Sequence, residues 1–336
     1  MPDLTSRAEE ALLGALIADP WQLASVPRLA AADFTEPARQ AVFTAISELH
    51  AREPGASGAE LAGLIARTAR DPQISADYLA AITGAPPTPS AAAVYGRMII
   101  EAAFDRQLGA HAAETRAAVL VGDDPGAAAI IADITSSLAG NLQAARVAAG
   151  APAQAAPPPG DPQAVLEERF LAAIMHQPTL TEWIAVDSQV FTSPARREVY
   201  EAIVSIDQHG EPVDELTLTW DLARSAAISH SDAGRLCSPG ELAAAIPSAL
   251  IARLAATPAD PADGVEAARD LLAARAQAQI AEAIGAARDP GQHGISSSAA
   301  RPAAARQSAL GSEPLLARPP DPQLGCDTPP LRHEGS

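Results

Sequence analysis

The stretch FTEPARQAVFTAI (Phe34–Ile46) returns almost intact as FTSPARREVYEAI (Phe191–Ile203), and this pair decides how the chain is read. A preceding segment, AEEALLGALIADP (Ala8–Pro20), likewise matches LEERFLAAIMHQP (Leu166–Pro178). Downstream, Glu53-Pro54 matches Glu211-Pro212, and Leu61…Ala66-Arg67 matches Leu218…Ala223-Arg224. The offset stays at 157 to 158 residues throughout, so the chain holds a duplicated unit. Each copy is far longer than a solenoid repeat and is read as a domain in its own right.

Helical spacing runs through both copies. In the first, Leu12, Leu13, Leu16 and Ile17 line one helix, with Ser6 and Glu9 expected to form a capping box at its start. Asp19-Pro20 ends it, and a short helix with Leu23 and Val26 follows. Thr35 is expected to cap the next helix, with Pro37 in its first turn. Its apolar face, Val42, Phe43, Ile46 and Leu49, returns in the second copy as Val199, Tyr200, Ile203 and Ile206. Further helices carry Leu61, Leu64 and Ile65, then Tyr78, Leu79 and Ile82. A long pattern through Val94, Met98, Ile99, Leu108 and Val119 breaks at GDDPG (Gly122–Gly126). A second helix with Ile130, Ile131, Ile134, Leu138 and Leu142 then completes an αα-hairpin. The second copy has the first arm, roughly Ala262–Ala287, and then Asp289-Pro290-Gly291, with no second arm read beyond it.

Composition agrees with helices. Hydrophobic residues make up 48% of the 336, yet aromatics only 3%, a balance that favours helix over strand. The expected fold class is all-α: two tandem small helical bundles, the first followed by a long αα-hairpin, with a disordered C-terminal tail. The first domain is placed at 1–148, a Pro-rich linker at 149–162, the second domain at 163–290, and the tail at 291–336.

The net charge is −18, and all 23 basic residues are arginine. Residues 1–150 hold ten arginines against seventeen acids, and residues 151–290 nine against twenty. Such a field argues against direct, non-specific binding of nucleic acid. The two cysteines, Cys237 and Cys326, form no disulfide framework. No apolar run is long enough to span a membrane, and the N-terminus reads as an amphipathic helix rather than a signal peptide. A cytoplasmic location is expected.

Glu9, with the pattern Glu-x-x-Leu-Leu-Gly-Ala-Leu-Ile-x-Asp-Pro through Pro20, resembles the opening helix of the DnaB-type replicative helicase N-terminal domain. Asp33–Ile46 and the hairpin after Tyr95-Gly-Arg97 also resemble that domain, as does the second copy, including Gly210–Asp214. The resemblance covers about 5–147 and 163–288. It implies a small helical bundle with a hairpin that pairs between subunits in a collar. It also implies contact with the helicase-binding domain of primase, and a motor on a separate ATPase domain. The departures matter. A P-loop requires a lysine that reaches the phosphates, and this sequence contains none. Gly122 and Gly126 are read as the hairpin turn, and no motor is expected after the second copy.

Candidate chemistry is sparse. His50, His111, His176, His209, His230, His293 and His333 show no paired metal-ligand spacing. Glu9-Glu10 and Glu167-Glu168 could be paired catalytic carboxylates, but first-turn acids serving the helix dipole explain them better. Arg39, Arg196 and Arg97 could take a phosphate or an acidic partner, although pairing with acids such as Glu36 or Glu101 asks for less. Trp21, Trp183 and Trp220 are read as bundle core or edge, or else as anchors for a partner. No catalytic, cofactor-binding or metal-binding residue is assigned, and no cofactor is expected. The expectation is a non-catalytic interaction module related to replication, with a replicative helicase or primase as partner and self-association through the hairpin. The alternatives are a helical scaffold unrelated to replication, or a degenerate helicase relative. The two copies are also candidates for an internal pseudo-dimer.

Overall fold

The computed structural model describes residues 3–69, 71, 73–84, 88, 90–119, 126–150, 159–184, 186–231 and 236–288. The fold is all-α. The linker residues 151–158, the hairpin turn at 120–125 and the expected tail at 291–336 lie outside the described residues.

The first bundle is built from α1 (Leu4–Ala18), α2 (Pro37–Arg52), α3 (Gly58–Thr68) and α4 (Ala76–Thr83), closed by the start of α5 (Ala92–Val119). A 3₁₀ turn, Pro20–Ser25, links the first two helices. Helix α1 is buried on nearly every side because its neighbours surround it, which suits its run of alanine, leucine and glycine. Leu12, Leu16, Phe34, Val42, Ile46, Leu61 and Ile65 meet in one core. Two capping expectations are corrected. Asp3, not Ser6, caps α1, its carboxylate accepting from the Ser6 N–H at 2.7 Å. Glu36, not Thr35, occupies the cap position of α2, directly before Pro37.

The second bundle repeats this plan with α7 (Pro162–His176), the single turn α8 (Leu180–Trp183), α9 (Pro194–Gln208), α10 (Glu215–Ser231), α12 (Ser248–Ala256) and α13 (Pro261–Arg288). Phe170, Ile174, Phe191, Val199, Ile203, Leu218, Leu222 and Ile251 form its core. Gly210 adopts a left-handed φ of +70° in the turn out of α9, where a side chain would be strained. Among the described residues one helix has no counterpart in the first copy. This is α11 (Pro239–Ala245), which opens with a capping box between Ser238 and Glu241.

Helix α6 (Gly126–Gly150) forms the second arm of the hairpin and packs along α5. Its C-terminal half also lies against α1, α10 and α11. Leu216, Trp220, Ala223 and Ala227 of α10 and Leu242 and Ile246 near α11 therefore join the core of the first bundle. Residues 1–284 form one compact unit, beyond which only the last turn of α13 is described.

Candidate interaction surfaces

Each bundle is held by a buried glutamate. Glu9 is inaccessible to solvent. Its Oε1 accepts the Thr35 N–H at 2.7 Å, and its Oε2 accepts the Thr35 hydroxyl and Arg39 Nη1, both at 2.9 Å. Arg39 reaches Glu10 with its other terminal nitrogen, at 2.8 Å. In the second copy Glu167, equally buried, accepts the N–H and hydroxyl of Thr192 at 2.9 Å and Arg196 Nε at 2.6 Å. There Glu168 receives a two-pronged pair from Arg253 of α12, both contacts at 2.7 Å.

This arrangement corrects the reading of the acid pairs. Glu9 sits in the second turn of α1, not at its start. Its carboxylate instead meets the backbone entering α2, so the helix dipole it favours belongs to the next element. Burial raises the Glu9 carboxyl above its ordinary pKa, against the lowering pull of Thr35 and Arg39. The three-way bonding satisfies a charge that burial alone would leave very costly. Arg39 pairs mainly with Glu9 and Glu10, with Glu36 more distant at 3.6 Å. A buried acid saturated by its own fold has no free valence for catalysis.

A second polar cluster joins the copies. Asp214 caps α10, accepting from the Thr217 N–H at 2.8 Å through Oδ1. Its Oδ2 accepts the Tyr95 hydroxyl at 2.8 Å and the Thr88 hydroxyl at 2.9 Å, both from the first copy. Burial and the adjacent Asp214 carboxylate push the Tyr95 hydroxyl pKa up, so it stays a donor. Arg97 pairs with Glu211 across the same boundary and, more loosely, with Glu101 on its own helix. Arg7 meets Glu215 at 2.8 Å. Asn141, buried on α6, donates to the Ser231 hydroxyl and accepts the Cys237 N–H. Trp220 donates its indole N–H to Glu101 at 3.1 Å, and the Arg146 guanidinium lies 4.7 Å over its ring. The contact is heterologous: an arm of the first copy lies on the second bundle.

The three tryptophans differ. Trp220 is part of the joint between copies, while Trp21 and Trp183 are 66% and 82% exposed. Trp21 rests edge-on against His50 with ring centroids 4.8 Å apart. Sequence reasoning did not separate them, although Trp220 shares a helical stripe with Leu216, Ala223 and Ala227. Among the described residues no group of His, Cys, Asp and Glu is placed to hold a metal ion. Nor is any described helix long and apolar enough to cross a membrane.

Two of the open apolar surfaces among the described residues lie on the first copy. On the distal half of α6, Ile130, Ile131 and Ile134 are each more than half exposed. Between α3 and α4 runs an apolar groove of about 560 Å³, lined by Ala59, Ala62, Gly63, Ala76, Ala80 and Thr83.

Paired bundles, buried interhelical latches and open apolar helix faces define a tandem helical-bundle protein. Residues 2–101 and 161–255 each match the DnaB-like helicase N terminal domain, and the chain belongs to that family. It thus carries a replication-related helicase N-terminal module twice, and the match includes no motor domain. No curated protein and no solved structure matches the chain.

Proposed function

We propose that this protein is a non-catalytic docking module of the DNA replication apparatus, acting in the cytoplasm on a replicative helicase or its primase. The observation that carries this reading is the family's domain present twice in a chain whose sequence has no lysine for a P-loop. The charged groups best buried in the bundles are engaged in holding helices together, which leaves surface rather than chemistry as the functional asset. The distal hairpin is the face assigned to partners. Ile130, Ile131 and Ile134 lie within little more than one turn of α6 and are each more than half exposed, whereas Asn141, Leu142, Ala145 and Ala149 of the same helix are buried, and an apolar cluster of this kind marks an association site. It serves contact with a hairpin of the same family or self-association. The acidic charge disfavours direct binding of nucleic acid.

The test is co-migration of the purified chain with the host's replicative helicase and with its primase, by gel filtration with light scattering. A complex with one of them is expected, weakened at least tenfold by Ile130→Ser with Ile134→Ser. Failure to bind either protein would sink the reading, and ATP turnover by the isolated chain would overturn its non-catalytic part.

A further inference from the structure

The joint between the copies pairs unlike faces, and the second face belongs to a bundle with a core of its own. That core runs from Phe170 to Leu271 and takes no residue from the first copy. Helix α10 serves it with Leu218 and Leu222, and turns Leu216, Trp220, Ala223 and Ala227 outward to α6. Polar contacts across the joint have a direction. Arg7 and Arg97 of the first copy meet Glu215 and Glu211 of the second. The Arg146 guanidinium lies over the Trp220 ring, and Tyr95 and Thr88 donate to Asp214. Glu101 runs the other way, accepting the Trp220 indole N–H, and Asn141 contributes a neutral amide. First-copy cations facing second-copy carboxylates make the two faces fit each other and not themselves.

We propose that the second bundle of one chain seats on α6 of another, so that two chains exchange their second copies in a closed dimer. The surface that recognises a neighbour is then the one already filled within the chain, and the exchange requires no new contact. Ion pairs and a buried amide within an apolar contact give the joint the mixed character of surfaces that separate and reseat. The connection suits the exchange. Residues 151–161 include Pro152, Pro157, Pro158 and Pro159, and a stretch of that length and composition reaches roughly 35 Å when extended. Charge direction limits the product. Two first copies would set arginine against arginine, and two second copies carboxylate against carboxylate. Each chain has one face of each kind, so a pair of chains satisfies every face. Once one joint has formed, closing the other is intramolecular, and growth stops at two chains.

A charge exchange tests this on the full chain. One variant carries Arg7→Glu with Arg97→Glu, the other Glu211→Arg with Glu215→Arg. Alone, each sets like charges across its joint, whether seated within a chain or between identical chains. Mixed, every reversed residue meets a complementary one in the other chain. By sedimentation velocity the equimolar mixture is expected to give a two-chain complex, at twice the 34.3 kDa of the monomer. It should be at least tenfold tighter than the self-association of either variant. Both variants remain acidic overall, so general attraction does not produce that result. Hydrogen exchange along residues 138–150 of α6 should slow on mixing. A chain with all four substitutions restores the pairs internally and is expected to match wild type, whose two-chain share rises with concentration. Serine at Ile130 and Ile134 should leave that share unchanged, which separates this dimer from hairpin-mediated binding. Should either double variant unfold by circular dichroism, Arg97→Glu and Glu211→Arg form the milder pair. A folded pair that stays monomeric on mixing, or a wild type that is monomeric at every concentration, overturns the proposal.

Discussion

Helices α3 and α10 descend from one segment, yet among the described residues only α10 has another helix, α6, on its outer face. Their inner faces still agree, Leu61 and Ile65 against Leu218 and Leu222. Their outer faces have parted: Ala59 and Gly63 against Leu216 and Trp220. The caps have parted too. Ser57 sits where Asp214 sits, and only the aspartate reaches across to Tyr95 and Thr88. Duplication thus preserved what each bundle needs internally, and the surfaces diverged according to the neighbour each meets. The buried glutamates belong to the first category, the tryptophan and the aspartate to the second.

Removing the common element should have the largest effect. Glu9→Ala and Glu167→Ala each remove the fully buried member of an ion pair, with Arg39 or half-buried Arg196, and leave a backbone N–H without its acceptor, and each should cost about 3–5 kcal/mol in urea unfolding. Similar losses in both copies would support equivalent latches; a loss under about 1 kcal/mol in either would break the equivalence. The pH response sharpens this point. The folded state raises the Glu9 pKa, so it binds that proton more tightly than the unfolded chain does. The associated stability is therefore greatest at low pH and declines as pH rises from the unfolded value of about 4.3 through the raised folded one. Arg39→Met removes a lowering influence and should steepen the decline, measured by thermal melts from pH 4 upward. A flat profile would contradict the assigned burial.

Next in size is the joint between copies. Trp220→Gly imposes the first copy's residue on the second and should cost about 3–5 kcal/mol by emptying a packed site. Faster hydrogen exchange in the C-terminal half of α6 is the accompanying readout. Asp214→Ser makes the analogous exchange at the cap. It keeps a capping oxygen but loses a charged acceptor for Tyr95 and Thr88, a loss of about 1–3 kcal/mol by urea titration. Smallest is Arg52→Ala, which removes an exposed pair with Glu48 at 3.6 Å and should change stability by no more than about 0.5 kcal/mol.

Much of this was legible in the sequence where periodicity governs. The faces Val42-Phe43-Ile46 and Val199-Tyr200-Ile203, the hairpin arms and the long α13 all follow from apolar spacing, because burial of one helical side imposes it. The latch was missed because Glu9 and Thr35 are distant in sequence, and a local capping motif competed for the same glutamate. The available signal was the repeated distance from Glu9 and Glu167 to their respective Thr-x-Pro-Ala-Arg motifs. Helix α11 does carry a local signature, the capping box Ser238-Pro-Gly-Glu241, which was not used; the seating of α6 on α10 has none, because a stripe such as Leu216, Trp220, Ala223 says that something covers it, not what.

The position of Trp220 gives the molecule an optical gauge of its own. Of the three tryptophans, two face water, and the third lies under a guanidinium at the joint between copies. Iodide should quench the first two and spare the third. The shielded fraction of the emission then reports, without any label, whether the two halves are seated together.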